Sequence, residues 1–391
     1  MLLSLSFILL LGMFLGYLCQ KIKLPSLVGM ILTGIILGPN LLNLIDPSIL
    51  EISAPIRKIA LIIILTRAGL TLNLNDLKKI GRPAILMCFV PASFEILGVI
   101  ILGPMFLGLS VLESALLGSV LGAVSPAVVV PRMLKIIEEG YGKEKSIPQL
   151  ILAGASVDDV FVIVMFTTFL GLNKGEKINI LNFINIPFSI VIGIFVGLLV
   201  GYLLSLFFKK FHMRDTAKVL IILSISFILV CIEDAINAPI NFSSLIAIMF
   251  MGIGLNKYRP VVAKRLNQKY NKLWVGSEIF LFVLVGALVE IKYIPLIGIS
   301  SILLVICALV FRMGGVFLSV FKTKLSNKEK LFAMISYTPK ATVQAAIGGI
   351  PLAAGLSCGQ SILTIAVIAI LLTAPLGGFF IDLTYKKLLE K

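Results

Sequence analysis

From Leu2 to Leu383 the chain alternates long apolar blocks with short polar segments, and helices of that length cross about 30 Å of hydrocarbon. The blocks and their breakers predict thirteen helices, at residues 2–19, 24–39, 57–74, 83–103, 111–135, 147–172, 185–208, 217–236, 241–255, 272–290, 294–321, 330–354 and 359–386. This is the pattern of an all-α polytopic membrane protein, a single membrane domain over residues 1–391 with no room for a separate soluble domain. The first block has no basic leader and no clear small-residue cleavage site, so it reads as a retained span.

Composition narrows the classes further. Of 391 residues, 59% are hydrophobic and 14% charged, whereas soluble domains carry roughly 25% charged residues. The net charge of +15 raises nucleic acid as a partner, but that requires a basic face on a soluble fold with stacking aromatics, and none is offered. The cations gather instead in one set of alternate loops, which holds 26 of the 34 Lys and Arg residues. Lys21 and Lys23, Lys78, Lys79 and Arg82, and the run from Lys257 to Lys272 belong to that set. The opposite loops carry only Arg57, Lys58, Lys174, Lys177 and Lys292, with Asp46 and Glu51. The positive-inside rule then puts the C-terminus in the cytoplasm and the N-terminus outside, which needs an odd number of spans. Loop cations also suit anionic lipid. Five scattered cysteines without CxxC spacing predict neither disulfide nor resident metal, and the lone His212 sits in a basic loop as a solvated residue.

Two blocks contain internal breakers. The fifth reads Gly122-Ala-Val-Ser-Pro126-Ala-Val-Val-Val-Pro131, and the twelfth Tyr337-Thr-Pro339-Lys-Ala-Thr-Val-Gln-Ala-Ala-Ile-Gly-Gly-Ile-Pro351. Each has a hydroxyl residue directly before its first proline, which frees backbone groups at membrane depth. The breaks lie seven spans apart, as expected for two inverted six-helix repeats, residues 1–172 and 217–391, joined by a linker helix at 185–208.

Charges inside apolar blocks are costly, at least about 2.5 to 3.5 kcal/mol each at the bilayer centre, and mark functional sites. Asp158 and Asp159 lie halfway along the sixth block and point about 100° apart on a helix, so one can face a cavity while the other meets an internal partner. A partly dehydrated carboxylate holds a proton that a small hard cation displaces by taking oxygen ligands. If the empty charged form cannot cross the barrier, coupled antiport results. Ser125, Ser156, Thr338 and Thr342 can add ligands, together with carbonyls freed by the breaks. Glu95 in the fourth block and Arg312 in the eleventh are again seven spans apart and suit an ion pair. Lys340, at the twelfth-span break, can neutralise the negative end of a half-helix or pair with Asp158. Arg67 either snorkels or pairs structurally, and Glu233 with Asp234 forms an interfacial cap or an access funnel.

Ser125-Pro-Ala-Val-Val-Val-Pro131, Gly140-Tyr-Gly142, Ala153-Gly-Ala-Ser-Val-Asp-Asp159 and Pro339-Lys-Ala-Thr-Val-Gln-Ala-Ala346 resemble sodium/proton antiporters of the cation:proton antiporter superfamily, in its double-aspartate NHA branch. The resemblance runs from about Gly16 to Ile381. It implies the Na⁺/H⁺ antiporter fold of thirteen or fourteen spans with crossed broken helices 5 and 12. It also implies a dimerisation domain, elevator-type alternating access and a homodimer in the cell membrane. Asp159 would be the main ion and proton carboxylate, binding Na⁺ or Li⁺ beside Asp158. Strongly electrogenic relatives have a lysine on the eleventh span, where this chain has Arg312, which does not titrate. That favours electroneutral exchange, with Lys340 keeping the electrogenic mode open. The alternatives are K⁺/H⁺ exchange and, from a different class, a cation channel. An intramembrane aspartyl protease needs two aspartates on separate helices, which adjacent residues are not. No cofactor and no enzymatic activity are expected.

Overall fold

A computed structural model describes residues 1–22, 24–72, 81–175, 180–236, 243–290 and 293–391, excepting the side chains of 156, 157, 160, 180–187, 190 and 293–297. Among the described residues the regular secondary structure is all helical, with α1 Leu2–Lys21, α2 Ser26–Leu37, α3 Pro47–Glu51, α4 Ser53–Thr71, α5 Arg82–Met87 and α6 Val90–Leu107. The chain continues as α7 Val111–Leu121, α8 Pro126–Glu139, α9 Ile147–Asn173, α10 Ile180–Lys210, α11 Asp215–Ala235 and α12 Ser244–Tyr258. The last helices are α13 Pro260–Ala287, α14 Tyr293–Val320, α15 Asn327–Ser336, α16 Thr342–Ile347, α17 Ile350–Ala353 and α18 Gly359–Leu388. Among the described residues, seven spans are long and apolar enough to cross a bilayer by length and composition. Lys23, Lys78, Lys79, Lys177 and Lys292 lie outside the described residues.

Several boundaries differ from the sequence pattern, each for a local reason. The fourth block splits at Cys88 and Phe89, because Pro91 has no N–H to donate to the Met87 carbonyl and its ring crowds that turn, so the helix restarts with Pro91 in its first turn. The twelfth block is three helices rather than one with a single break, and Pro351 sits in the first turn of the last piece. The tenth starts at Pro260, well before residue 272. Val262, Leu266, Tyr270 and Trp274 form a buried stripe at four-residue spacing while Lys264, Arg265 and Lys272 are exposed and Lys269 is half-buried. A stretch read as a basic loop is therefore an amphipathic helical lead-in. Both broken spans open with the same reciprocal cap, a Ser-x-x-Glu box at Ser110–Glu113 and again at Ser326–Glu329.

The chain separates into two compact units. The smaller comprises Arg57–Asp76 and Glu176–Glu278. Within it α10 packs along α12, and Glu233 accepts from the Ser244 backbone N–H at 3.2 Å and from the Ser244 hydroxyl, capping α12. Asp234 pairs with Lys58 at 3.2 Å, and Arg67 is half-buried with Glu278 as its electrostatic neighbour.

The larger unit, Met1–Ile56, Leu77–Gly175 and Ile279–Lys391, contains both broken spans and both aspartates. One apolar cluster there joins α8, α9, α14, α15 and α18 through Val129, Met133, Ile151, Ala155, Val316, Phe332 and Ile381, all essentially without exposed surface. Helix α9 comes so close to the end of α15 that a Cβ on Gly154 would overlap the Tyr337 hydroxyl. Tyr337 is buried and its hydroxyl has no hydrogen-bond partner among the described residues. Gly154→Ala is therefore expected to destabilise the protein by about 1 to 3 kcal/mol through overpacking. Adding Tyr337→Phe removes the hydroxyl overlap but leaves Met87 Cβ 2.8 Å from that Cβ, so it should restore part of the loss. Thermal unfolding of the two single variants and the double variant checks the coupling; additive losses would contradict this packing.

Candidate functional site

Breaking a helix exposes carbonyls at the end of its first half and amides at the start of its second, and these ends carry partial negative and positive charge. In the fifth span α7 stops at Leu121, and Ser125 is extended before Pro126 opens α8 at the first helical position. In the twelfth span α15 stops at Ser336, and the chain turns through Tyr337–Ala341 before α16. The two breaks touch directly, the Ser125 N–H donating to the Pro339 carbonyl at 2.8 Å.

Five charged side chains gather around this junction. Glu95 projects from α6 and Arg312 from α14, and these helices pack closely enough that a Cβ on Gly315 would lie 2.8 Å from Pro91 Cα. Arg312 Nη1 donates to Glu95 Oε2 at 2.8 Å and Nη2 to Asp158 Oδ2 at 2.8 Å. Its Nε donates to the Tyr337 carbonyl at 2.6 Å and Nη1 also reaches the Gly122 carbonyl, so one guanidinium spans both breaks. The Tyr337 ring centroid lies 5.4 Å from Arg312 Cζ. Lys340 Nζ lies 2.6 Å from Glu95 Oε1 and donates to the Leu121 carbonyl at 2.6 Å. It neutralises the C-terminal end of α7 and pairs with Glu95, not with Asp158 as one sequence reading allowed. Asp158 meets Arg312 instead, a contact the sequence did not suggest.

Asp158 is wholly buried, and its Oδ2 also accepts the Val124 N–H at 3.1 Å. Asp159 differs. It keeps 5% of its surface exposed, and among the described residues no hydrogen bond or ion pair reaches it. Asp158 Oδ1, Asp159 Oδ1, the Ser125 hydroxyl and the Thr342 hydroxyl are buried oxygens without hydrogen-bond partners among the described residues. Thr338 is not in that group, because its hydroxyl donates to the Ile335 carbonyl at 2.8 Å. The Ser156 side chain lies outside the described residues. The freed carbonyls of Leu121, Gly122 and Ala123 are also occupied, by Lys340, Arg312 and Gln344. Sequence reading offered these carbonyls as cation ligands and overlooked Gln344, whose signal was a polar amide inside an apolar run.

A junction of two interrupted helices in an apolar, all-helical chain, lined by buried carboxylates and cations, is the arrangement of an ion carrier of the Na⁺/H⁺ antiporter fold. The chain superposes on the sodium proton antiporter MjNhaP1 of Methanocaldococcus jannaschii at pH 8 with a TM-score of 0.88 and 23% identity, covering 99% of this chain and 98% of that one. The family model "Sodium/hydrogen exchanger, transmembrane" matches residues 6–387, and the chain belongs to that family. Among relatives, sodium/hydrogen exchanger 9B2 of Xenopus tropicalis is 34% identical over 96% of this chain and 72% of its own length. The human 9B2 protein is 33% identical over 94% and 70%. The protein is accordingly a cation/proton exchanger, a transporter rather than an enzyme, with the exchanged ions as substrates and no cofactor.

The junction's dependence on one guanidinium is testable. Arg312→Met leaves Glu95 and Asp158 without that partner and is expected to cost about 3 to 5 kcal/mol of stability, as for a broken buried pair. Arg312→Lys keeps the charge without the planar fork and should recover only part of it. Thermal unfolding in detergent reads both, and a wild-type midpoint for Arg312→Met would contradict this role.

Proposed function

We propose that the protein exchanges Na⁺ or Li⁺ for H⁺ one for one, with Asp159 as the carboxylate that alternately holds the cation and the proton. The observation that supports this most strongly is the charge balance of the junction. Three buried carboxylates, Glu95, Asp158 and Asp159, face two buried cations, Arg312 and Lys340. Glu95 and Asp158 are the ones engaged in ion pairs. One negative charge is left over, on Asp159. A single proton or a single monovalent cation makes the junction neutral, and the unloaded form carries a charge that is costly at membrane depth. Either loaded form crosses with the same net charge, so membrane potential does no work on the cycle.

Alternation between the two faces proceeds by an elevator-type movement of the domain that carries the junction. The Ser-x-x-Glu caps opening both broken spans support two inverted repeats, and the sequence spacing supports residues 185–208 as the linker between them. The protein works as a homodimer in the cell membrane, its N-terminus outside and its C-terminus in the cytoplasm, with the Lys- and Arg-rich loops against anionic lipid. Ser125 and Thr342 hydroxyls, buried and without a hydrogen-bond partner among the described residues, supply further cation ligands with Asp158.

Collapse of a pH gradient in inverted vesicles, reported by a dye on addition of Na⁺, Li⁺ or K⁺, tests the reading. Asp159→Asn should abolish the response. Asp158→Asn should impair it by disturbing the contacts to Arg312 and Val124. Full activity without Asp159 overturns the assignment. Linear cation flux without proton movement would identify a channel, and a response to K⁺ alone would identify a potassium exchanger.

A further inference from the structure

Gln344 is completely buried in α16 and takes no part in the ion-pair network. Its Nε2 donates to the Ala123 carbonyl at 2.9 Å and to the Leu121 carbonyl at 3.3 Å. The peptide that joins Ala123 to Val124 is trans, so its C=O and N–H point in opposite directions. The Val124 N–H faces Asp158 Oδ2 at 3.1 Å. The Ala123 carbonyl therefore faces away from that carboxylate, into the amide of Gln344. One peptide plane is held at both edges, by Asp158 on one side and Gln344 on the other.

We propose that Gln344 is a positioning residue that sets cation specificity. By holding the Ala123 carbonyl it keeps main-chain oxygen out of the cation's surroundings and leaves coordination to Asp158, Asp159, Ser125 and Thr342. The proposal rests on Asp159 being the ion carrier. Selectivity between cations of different size follows cavity size, ligand number and ligand flexibility. A junction with few oxygens suits a small cation such as Na⁺ or Li⁺. Freed from Gln344, the Ala123–Val124 peptide can turn its carbonyl toward the carboxylates, and the added ligand favours the larger K⁺.

Gln344→Met retains length and bulk and removes the amide. The ratio of apparent KM for K⁺ to that for Na⁺, measured in proteoliposomes with the full chain, is the primary readout. Thermal stabilisation of the purified protein by Na⁺ and by K⁺ gives the same ratio without transport. The preference for Na⁺ over K⁺ is expected to fall by about two- to tenfold in both, the range that one hydrogen bond commands. An unchanged ratio overturns the proposal, whether the variant is fully active, uniformly slowed or only less stable. Asp159→Asn measured alongside separates the two levels: transport surviving there removes the carrier assignment itself. An unchanged ratio in Gln344→Met, with transport lost in Asp159→Asn, removes only the role of Gln344.

Discussion

The structure turns on a guanidinium buried away from the protein surface. Arg312 is wholly buried, and burying an unpaired charge would cost several kcal/mol or more. That cost is offset only because four separate groups converge on it: Glu95, Asp158, and the carbonyls of Gly122 and Tyr337. Those groups come from α6, α9 and both helix breaks. The planar fork of arginine can meet them together, whereas the compact ammonium of lysine cannot. The same contacts that make the charge tolerable thus hold the carboxylates in register with the interrupted helices.

Once Arg312 and Lys340 are satisfied, the junction has little freedom left. The negative helix ends at Leu121 and Tyr337 are each met by a cation, as the macrodipole favours. The carbonyls released by the first break are occupied, and Asp158 is committed to Arg312 and Val124. What stays open is a short set of side-chain oxygens and the one carboxylate without a partner among the described residues. The proposed function rests on this asymmetry between neighbours: Asp158 is engaged by Arg312 and Val124, and Asp159 has no partner among the described residues.

Much of this was legible in the sequence because membrane helices obey strong constraints. Long apolar blocks, prolines at Pro126 and Pro339, and charges inside those blocks each have few physical explanations in a bilayer. The seven-span spacing of Glu95 and Arg312 anticipated residues that lie 2.8 Å apart. Three things were not legible. Which carboxylate Lys340 meets depends on the side of α7 that the twelfth-span break approaches, and spacing along the chain does not encode that. The capture of backbone carbonyls by Gln344 depends on the orientation of single peptide planes. The helical lead-in at Pro260–Trp274 was hidden because its lysines and arginines outweigh its stripe of four buried residues in any average over the segment. The repeated Ser-x-x-Glu box, in contrast, has a sequence signature that the reading passed over, and it marks the starts of both broken spans.

The central claim is that the buried charges leave one carboxylate over, so that a proton and a monovalent cation are interchangeable and the cycle carries no net charge. The most direct test is cation-driven proton movement in proteoliposomes whose membrane potential is clamped by an ionophore. The account predicts that the direction and final extent of exchange follow the Na⁺ and H⁺ gradients alone, unchanged when the potential is reversed. Na⁺ uptake driven by potential in the absence of either gradient would contradict it.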